Sequence, residues 1–201
     1  VALAPAAAAS PAGAQEFRPV ELAYAAQRLP GGGTAHDGED VRVRGVVSVD
    51  SRAFYGELLK FYLQDGDAGL CVFSRKLRAE LRPGDVVEAS GRLQSFAGIA
   101  QLSAEALTVV GHAQAPLPRA VPAEELLSPR LSGLLVETEA EVVGSYRATG
   151  DALDATLAAG RGLLILHLTR QQRGAFSAET WRRGTLLRVR GIASQYDRTP
   201  P

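Results

Sequence analysis

The sequence predicts an all-β chain in which one folding unit occurs twice. Residues 81–91 (LRPGDVVEASG) and 181–191 (WRRGTLLRVRG) each place a bulky apolar residue and an arginine before a turn glycine, and an alternating strand and a second glycine follow. Two upstream segments match in the same order, 41–47 with 138–143 and 70–75 with 165–170. Several matches in one order indicate a repeated unit, and a repeat is the first guide to an architecture.

Each copy reads as one strand, a hairpin of two strands, a short basic helical turn and the glycine-bounded strand, and the first copy adds a closing strand. This succession is typical of the OB-fold, a small Greek-key barrel of five strands. The predicted fold is therefore two tandem five-strand OB-fold-like Greek-key barrels, each preceded by a short helix, with the second truncated before its last strand. A generic β-sandwich is the alternative.

The chain begins with a small, apolar segment, residues 1–14, which ends in Ala12-Gly13-Ala14. Such a segment is typical of the end of a secretory signal peptide with its cleavage site, although the charged start is missing, and an Ala/Pro linker is the alternative. We therefore expect a signal-peptide remnant and an exported protein, either periplasmic or extracellular.

The first unit is expected over residues 15–111. An apolar run at 17–29 predicts a short helix, Pro30 ends it, and the glycines at 31–33 predict a flexible connector. From residue 41 the pattern alternates with a period of two, so side chains such as Val41 and Val43 should point into a barrel.

The remaining strands of the first unit follow from the same alternation. In the second strand Leu59, Phe61 and Leu63 should point inward, and the turn at 65–69 leads into the third strand. Residues 85–93 and 99–110 predict the fourth and fifth strands, which enclose the loop 94–98.

The second unit is expected over residues 123–201, after an Ala/Pro linker at 112–122 that should hold the two barrels apart. A short helix at 122–128 precedes it. After its glycine-bounded strand the sequence contains no closing strand. An open barrel exposes a strand edge, so we expect this chain to be part of a longer protein whose C-terminal domains are its partners.

Composition excludes several classes of function. Lys and Arg number 22, and Asp and Glu also number 22, so a basic site for nucleic acid has to be local. No stretch is long and apolar enough to be a membrane span. The single cysteine, Cys71, lies in an apolar strand, where a buried inert thiol is expected.

Catalytic chemistry is not expected either. The three histidines, His36, His112 and His167, have no second ligand at metal spacing, and an acidic solvated loop explains the carboxylates beside His36 better than a metal site does. No nucleophile elbow and no paired carboxylates beside a histidine are found. The prediction is a module without enzymatic activity, metal or cofactor.

A binding site is expected on the first barrel, at the surface and loops that OB-folds use for ligands. Aromatic rings can stack with the bases of a single-stranded nucleic acid while Arg and Lys pair with its phosphates. The alternative is that the aromatic residues plug the barrel ends and that the cations are ordinary solvated charges. The candidate residues are Arg42, Arg44, Arg52, Phe54, Tyr55, Lys60, Tyr62 and Phe96.

Four motifs carry a resemblance to known proteins: VRGVV (43–47), LQDG (63–66), RPGDVVE (82–88) and VRGIASQYD (189–197). Over residues 15–201 the chain resembles the tandem OB-like modules at the extracytoplasmic N-termini of bacterial sensor histidine kinases, and the OB-like segments of secreted nucleases. The resemblance implies a noncatalytic module outside the cytoplasm, with its output in a C-terminal part.

Two classes of function are therefore expected. The first is a ligand-binding or sensory ectodomain in signal transduction, with single-stranded nucleic acid or another anionic polymer as the favoured ligand. The second is a structural or protein-interaction spacer within a larger secreted protein such as a nuclease. The fold by itself does not choose between them.

Overall fold

The protein is mostly β in the computed structural model, which describes residues 16–54, 57–144, 147–149, 152–169, 172 and 176–195. The expected signal-peptide remnant at 1–14 lies outside the described residues, and so does Tyr55. Within the described part, no helix is long and apolar enough to cross a membrane. In that same part, no three His, Cys, Asp or Glu side chains are grouped so that they could hold a metal ion.

The described residues form twelve strands, one α-helix and four 3-10 helices. The strands are β1 (Arg18–Pro19), β2 (Asp40–Val47), β3 (Leu59–Asp65), β4 (Ala68–Ser74), β5 (Asp85–Phe96), β6 (Ile99–His112), β7 (Arg119–Ala120), β8 (Leu135–Glu141), β9 (Arg147–Thr149), β10 (Ala152–Ala159), β11 (Gly162–Leu168) and β12 (Leu186–Ile192). The helices are α1 (Leu22–Ala25) and the 3-10 helices Ser51–Ala53, Ala123–Leu127, Pro129–Leu131 and Ala178–Trp181.

Strands β2 to β6 form a closed barrel, which we call the first barrel. The order around it is β2-β3-β4-β6-β5, and β5 pairs back with β2. The β4–β6 pair is parallel, whereas the β2–β3, β3–β4, β5–β6 and β2–β5 pairs are antiparallel. A five-strand Greek-key barrel of this order has the OB topology, so the sequence-based prediction of an OB-like barrel is confirmed.

Alternating side chains fill the first barrel as predicted. Val41, Val43 and Phe61 are at most 1% exposed and belong to one apolar cluster. Each fully buried apolar side chain of this size contributes roughly 1.5–3 kcal/mol relative to an exposed one. Helix α1 packs against the barrel, because Leu22 and Ala25 belong to the same apolar cluster and Leu22 Cδ2 lies 3.1 Å from where a Cβ at Gly45 would stand.

The glycine connector before the barrel is an ordered part of the fold, so the prediction that it is flexible is wrong. Gly32 and Gly33 have φ of 90° and 73°, which favours glycine over any residue with a side chain. Gly33 N donates a hydrogen bond to Gly98 O at 2.7 Å, and Thr34 N donates one to Ser95 Oγ at 3.0 Å. These bonds attach the connector to the β5–β6 hairpin.

Strands β7 to β12 form two smaller sheets, which we call the second unit. One sheet has the order β11-β10-β9 and the other β12-β8-β7. A bridge between Val142 and Leu157 joins β10 to the end of β8. The expected linker at 112–122 is partly strand, since β6 runs to His112 and Arg119–Ala120 is β7. Units that we expected to be held apart are in contact, as the next section describes.

Candidate nucleic-acid interface

Part of the outer surface of β3 and β4, the strands on which OB-folds bind ligands, is buried in this protein together with the start of β6. Tyr62, Cys71 and Ile99 point out of the first barrel, yet they are 3%, 1% and 7% exposed. Phe54 and Ile192 pack against them. We call Tyr62, Cys71 and Ile99 the docking face, because Ile192 of the second unit covers it.

Backbone contacts fix the second unit on the docking face. A Cβ at Gly69 would stand 2.4 Å from the backbone C and O of Gly133, so the two backbone segments touch where neither has a side chain. Gln64 Oε1 accepts a hydrogen bond from Leu135 N at 3.1 Å. Thr169 Oγ1 donates one to Ala53 O at 2.8 Å. The contact between the units therefore includes hydrogen bonds between particular residues as well as apolar packing.

Arg28 lies at the junction of the two units. Its Nη2 donates to Gly69 O at 2.8 Å and its Nη1 donates to Ala26 O at 2.8 Å. Its Nε is buried with no partner among the described residues. Burial lowers the pKa of the Arg28 guanidinium, because the charged form loses its hydration. Both hydrogen bonds attach Arg28 to the first barrel and its N-terminal segment, and Nη2 lies 3.1 Å from where a Cβ at Gly133 would stand.

Three of the candidate site residues come together at the docking face, of which Tyr62 is a member. The ring centroids of Phe54 and Tyr62 are 5.5 Å apart. Lys60 Nζ lies 5.7 Å from the Phe54 ring centroid and 5.8 Å from that of Tyr62. These distances permit cation–π attraction, which stabilises the cluster. Phe54 and Lys60 are half-buried, whereas Tyr62 is covered and offers no open ring face.

The candidate arginines lie on other surfaces. Arg42 and Arg44 are exposed on the outer side of β2, and Arg42 Nη1 is 3.8 Å from Glu88 Oε1. Arg52 donates to both carboxylate oxygens of Asp50, at 3.0 and 2.6 Å. These hydrogen bonds raise the pKa of Arg52, and they leave its charge compensated.

Phe96 lies at the tip of the β5–β6 hairpin and is not part of the cluster of Phe54, Lys60 and Tyr62. It pairs with Ile99 across the turn and is 56% exposed. An exposed ring at a hairpin tip is available for stacking.

A second group of cations, which the sequence analysis recorded only as a basic helical turn, lies between β4 and β5. Residues 75–82, which we call the basic loop, are irregular rather than helical. Ser74 Oγ accepts hydrogen bonds from Lys76 N and Leu77 N, and a hydroxyl that bonds nearby backbone competes with helix formation. Arg75, Lys76, Arg78 and Arg82 are exposed and form no ion pair with any described carboxylate.

The basic loop is held against the β2–β3 loop. Ser51 N donates to Leu81 O at 3.1 Å, and Leu81 N donates to Ser51 Oγ at 3.0 Å. Between the two loops is a cavity of about 420 Å³ whose lining includes Arg52, Arg78, Glu57 and Glu80. Residues 50–60 and 75–85 together carry six basic and four acidic side chains, so this end of the barrel is locally basic in a chain of zero net charge.

Comparison with known proteins adds no family. No protein-family model matches the chain, and no curated protein sequence matches it. Solved structures that resemble it include the tetrameric p202 HIN2, at 13% identity and a TM-score of 0.40 over 83% of this chain and 89% of that one. The telomere capping protein Ten1 from Saccharomyces pombe matches at 14% identity and a TM-score of 0.32, over 48% of this chain and 84% of that one.

Parts of larger enzymes are similar as well. A putative aspartyl-tRNA synthetase from Leishmania major Friedlin matches over 57% of this chain at 10% identity and a TM-score of 0.37. This chain spans 24% of that synthetase, and 20% of an asparaginyl-tRNA synthetase from Pyrococcus horikoshii. Similarities at these TM-scores do not define a fold class. The assignment of the first barrel to the OB type therefore rests on its own strand order.

Proposed function

We propose that this chain is a noncatalytic binding module whose first barrel holds an anionic polymer, with single-stranded nucleic acid as the favoured ligand. The observation that carries the proposal is the basic loop, where Arg75, Lys76, Arg78 and Arg82 are exposed and form no ion pair with a described carboxylate. Exposed cations that form no ion pair can bind phosphates at little cost, since no existing ion pair has to break.

The binding surface proposed from the structure differs from the one expected from the sequence. Tyr62 is buried, so stacking falls to the half-buried Phe54 in the β2–β3 loop, the loop that contacts the basic loop through Ser51, with Tyr55 adjacent to Phe54 in the chain. Each base that stacks on an aromatic side chain contributes about 1–3 kcal/mol. A few phosphates on the basic loop and one or two bases on the rings would give weak, salt-sensitive binding.

Fluorescence titration of a labelled oligothymidine with the full chain at low salt tests the proposal. Four neutralised phosphates predict a slope of about −3 for log K against log salt, at roughly 0.7 per phosphate on a single strand. The double variant K76S/R78S should bind more weakly, and its slope should fall to about half that value.

The control variant is R92S/R182S, which removes the same charge. Both of its arginines are exposed and already paired, Arg92 with Asp40 at 2.9 Å and Arg182 with Glu179 at 3.1 Å. It should bind like the unmodified protein. Absence of binding at low salt, or equal weakening in both double variants, contradicts the proposal.

A second candidate function is that of a protein-interaction spacer. The supporting observation is the docking face, because the usual ligand surface of the first barrel already contacts the second unit. In that role the first barrel would fix the position of neighbouring domains rather than capture a ligand. Retention of the docked arrangement in a chain that binds no oligothymidine would favour this candidate.

We further propose that the two units are copies of one OB-like unit with a preceding helix. We also propose that the module works outside the cytoplasm, as the sensory or nuclease-associated part of a larger protein. Matching hydrogen bonds support the first point: Gly84 N donates to Val47 O at 3.0 Å, and Gly184 N donates to Val142 O at 2.8 Å. The second point rests on the composition of residues 1–14 and on the four motifs.

A further inference from the structure

The cavity between the β2–β3 loop and the basic loop, which we call the loop cavity, has an apolar wall as well as charged residues. Its volume of about 420 Å³ is typical of a site for a small organic group. The apolar lining is formed by Leu58, Leu59 and Ala79, which are buried or half-buried. A phosphate alone would leave this wall without contacts, whereas a nucleobase has apolar faces and a polar edge.

One charged residue of the loop cavity, Glu80, stands on backbone that is fixed on both sides. Ser51 Oγ donates a hydrogen bond to Ala79 O at 3.3 Å and accepts one from Leu81 N at 3.0 Å. Ser51 N also donates to Leu81 O at 3.1 Å. Because Ser51 is only 4% exposed, water competes little for these bonds. Glu80 therefore extends from a backbone segment whose position is set before any ligand binds.

The Glu80 carboxylate forms no hydrogen bond or ion pair with another side chain that the structure describes. The two arginines of the loop cavity are held by other groups. Arg52 is paired with Asp50, and Arg78 Nη1 donates to two carbonyl oxygens of the basic loop, each at 2.9 Å. Asp50 raises the pKa of Arg52 most, and the charge of Glu80 adds a smaller contribution in the same direction. The carboxylate is thus within electrostatic reach of Arg52 but remains able to accept hydrogen bonds.

This carboxylate decides which part of a nucleic acid can enter the loop cavity. An ionised carboxylate only accepts hydrogen bonds, and it repels phosphates. The sugar–phosphate backbone of DNA has no N–H donor to offer, whereas the bases carry amino and imino groups on their pairing edges. A base edge is therefore the part of the strand that fits beside Glu80, while the phosphates fit the arginines.

The four bases differ in how their pairing edges match a carboxylate. Guanine presents two neighbouring donors, N1–H and the N2 amino group, which fit the two carboxylate oxygens as a fork. Adenine and cytosine present one amino group beside a ring nitrogen that accepts. Thymine presents N3–H between two carbonyl oxygens. Each of these three bases would place an acceptor against the carboxylate, so guanine is the base that matches it.

We propose that the loop cavity binds one guanine base of a single strand, with the Glu80 carboxylate accepting hydrogen bonds from N1–H and the N2 amino group. In this complex the face of the base lies against Leu58 and Leu59, and Arg78 pairs with an adjoining phosphate. The inference rests on the proposed function, because it assigns a base preference to the same binding surface.

The test compares two labelled probes by fluorescence titration of the full chain, with EDTA present so that no divalent cation bridges protein and probe. One probe is oligothymidine and the other is the same oligothymidine with one central deoxyguanosine. The guanine probe should bind about tenfold more tightly, as expected for a good two-bond base contact. The two salt dependences should have the same slope, because the number of phosphates does not change.

Two modified bases show which edge of guanine is recognised. Deoxyinosine lacks the N2 amino group, so it should lose most of the tenfold gain. 7-Deazadeoxyguanosine keeps N1–H and the amino group but lacks N7, so it should keep the gain. The opposite pattern would mean that an arginine reads N7 and O6, as arginines do in the major groove of DNA, and would overturn the role of Glu80.

The decisive variant is Glu80→Gln, which keeps the shape of the side chain but replaces one acceptor oxygen by a donor. The ratio of the two affinities should fall from about tenfold to near one. The control is Glu105→Gln on β6, at an exposed glutamate that does not line the loop cavity, and it removes the same charge. It should keep the tenfold ratio.

The failure of this inference can be distinguished from the failure of the proposed function. Oligothymidine that binds with the expected salt slope, but no more weakly than the guanine probe, overturns the inference and leaves the proposed function intact. Absence of binding by both probes contradicts both. A tenfold ratio that persists in Glu80→Gln, or that is lost equally in Glu105→Gln, also overturns the assignment to Glu80.

Discussion

Replacing Gly69 by alanine should separate the second unit from the first barrel. A Cβ at this position would stand 2.4 Å from the backbone C and O of Gly133 and 2.8 Å from Leu134 N. Backbone atoms cannot move aside as the end of a side chain can, so the added methyl has to push the two units apart. Gly69 has no positive φ, and the strain therefore falls on the interface rather than on the conformation of residue 69.

The expected size follows from the cost of overpacking, which is typically 1–3 kcal/mol for an extra methylene in a well-packed contact. Applied to the opening equilibrium of the interface, about 1.4 kcal/mol is a tenfold increase in the open population. The sole cysteine, Cys71, reports this opening because it lies in the docking face and is 1% exposed. Burial also raises the pKa of the Cys71 thiol, which keeps it unreactive in the closed state.

The assay is the rate of thiol labelling under native conditions. Gly69→Ala should label about tenfold faster than the unmodified protein, while Gly111→Ala, where the added Cβ meets nothing within 4 Å, should label at the unmodified rate. Hydrogen exchange in the core of the first barrel, at Phe61 and Val72, should stay unchanged, which distinguishes separation from unfolding. An unchanged labelling rate in Gly69→Ala refutes this account of the interface.

Three further predictions concern stability and processing. Trp181→Ala should destabilise the second unit by about 3–5 kcal/mol in thermal denaturation, because Trp181 is 5% exposed and packs with Leu153 and Leu168, whereas Phe176→Ala, at a ring 47% exposed, should cost much less. Hydrogen bonds from Arg52 lower the pKa of Asp50 in the folded state, so the contribution of Asp50 to folding stability is present above its unfolded pKa and is lost as the pH falls. Asp50→Asn should therefore weaken the acid dependence of urea unfolding between about pH 5 and pH 2. An unaltered acid dependence would contradict this. Intact-mass analysis of the natural protein should show that residues 1–14 are removed, and retention of Val1 would rule out a cleaved signal.

Local patterns determined the first barrel. The period-two alternation of Val41, Val43 and Phe61 decides which side chains face inward, and it depends only on the geometry of a strand. The turn glycine Gly84, with φ of 97°, is visible in the sequence because a side chain is disfavoured at that conformation. Features of this kind require no knowledge of distant residues, so the sequence predicted them.

The candidate site was predicted only in part. The sequence indicated that Phe54, Lys60 and Tyr62 belong to one surface, and the structure brings them within 6 Å of each other. It also identified cations near the β2–β3 loop, but it did not connect that loop with residues 75–82. That connection depends on hydrogen bonds between Ser51 and Leu81, thirty residues apart.

Only the tertiary structure decided what covers each surface. Tyr62 alternates outward in the sequence and is nevertheless buried, because Ile192, far along the chain, packs on the docking face. The glycines at 32 and 33 are ordered by a hairpin more than sixty residues away. Gly191 is indistinguishable from Gly91 in the sequence, yet one faces open space and the other a strand. The sequence by itself determined the strands of the first barrel, their inward faces and their turns, while the contacts between the units depend on pairings of distant residues that no local pattern contains.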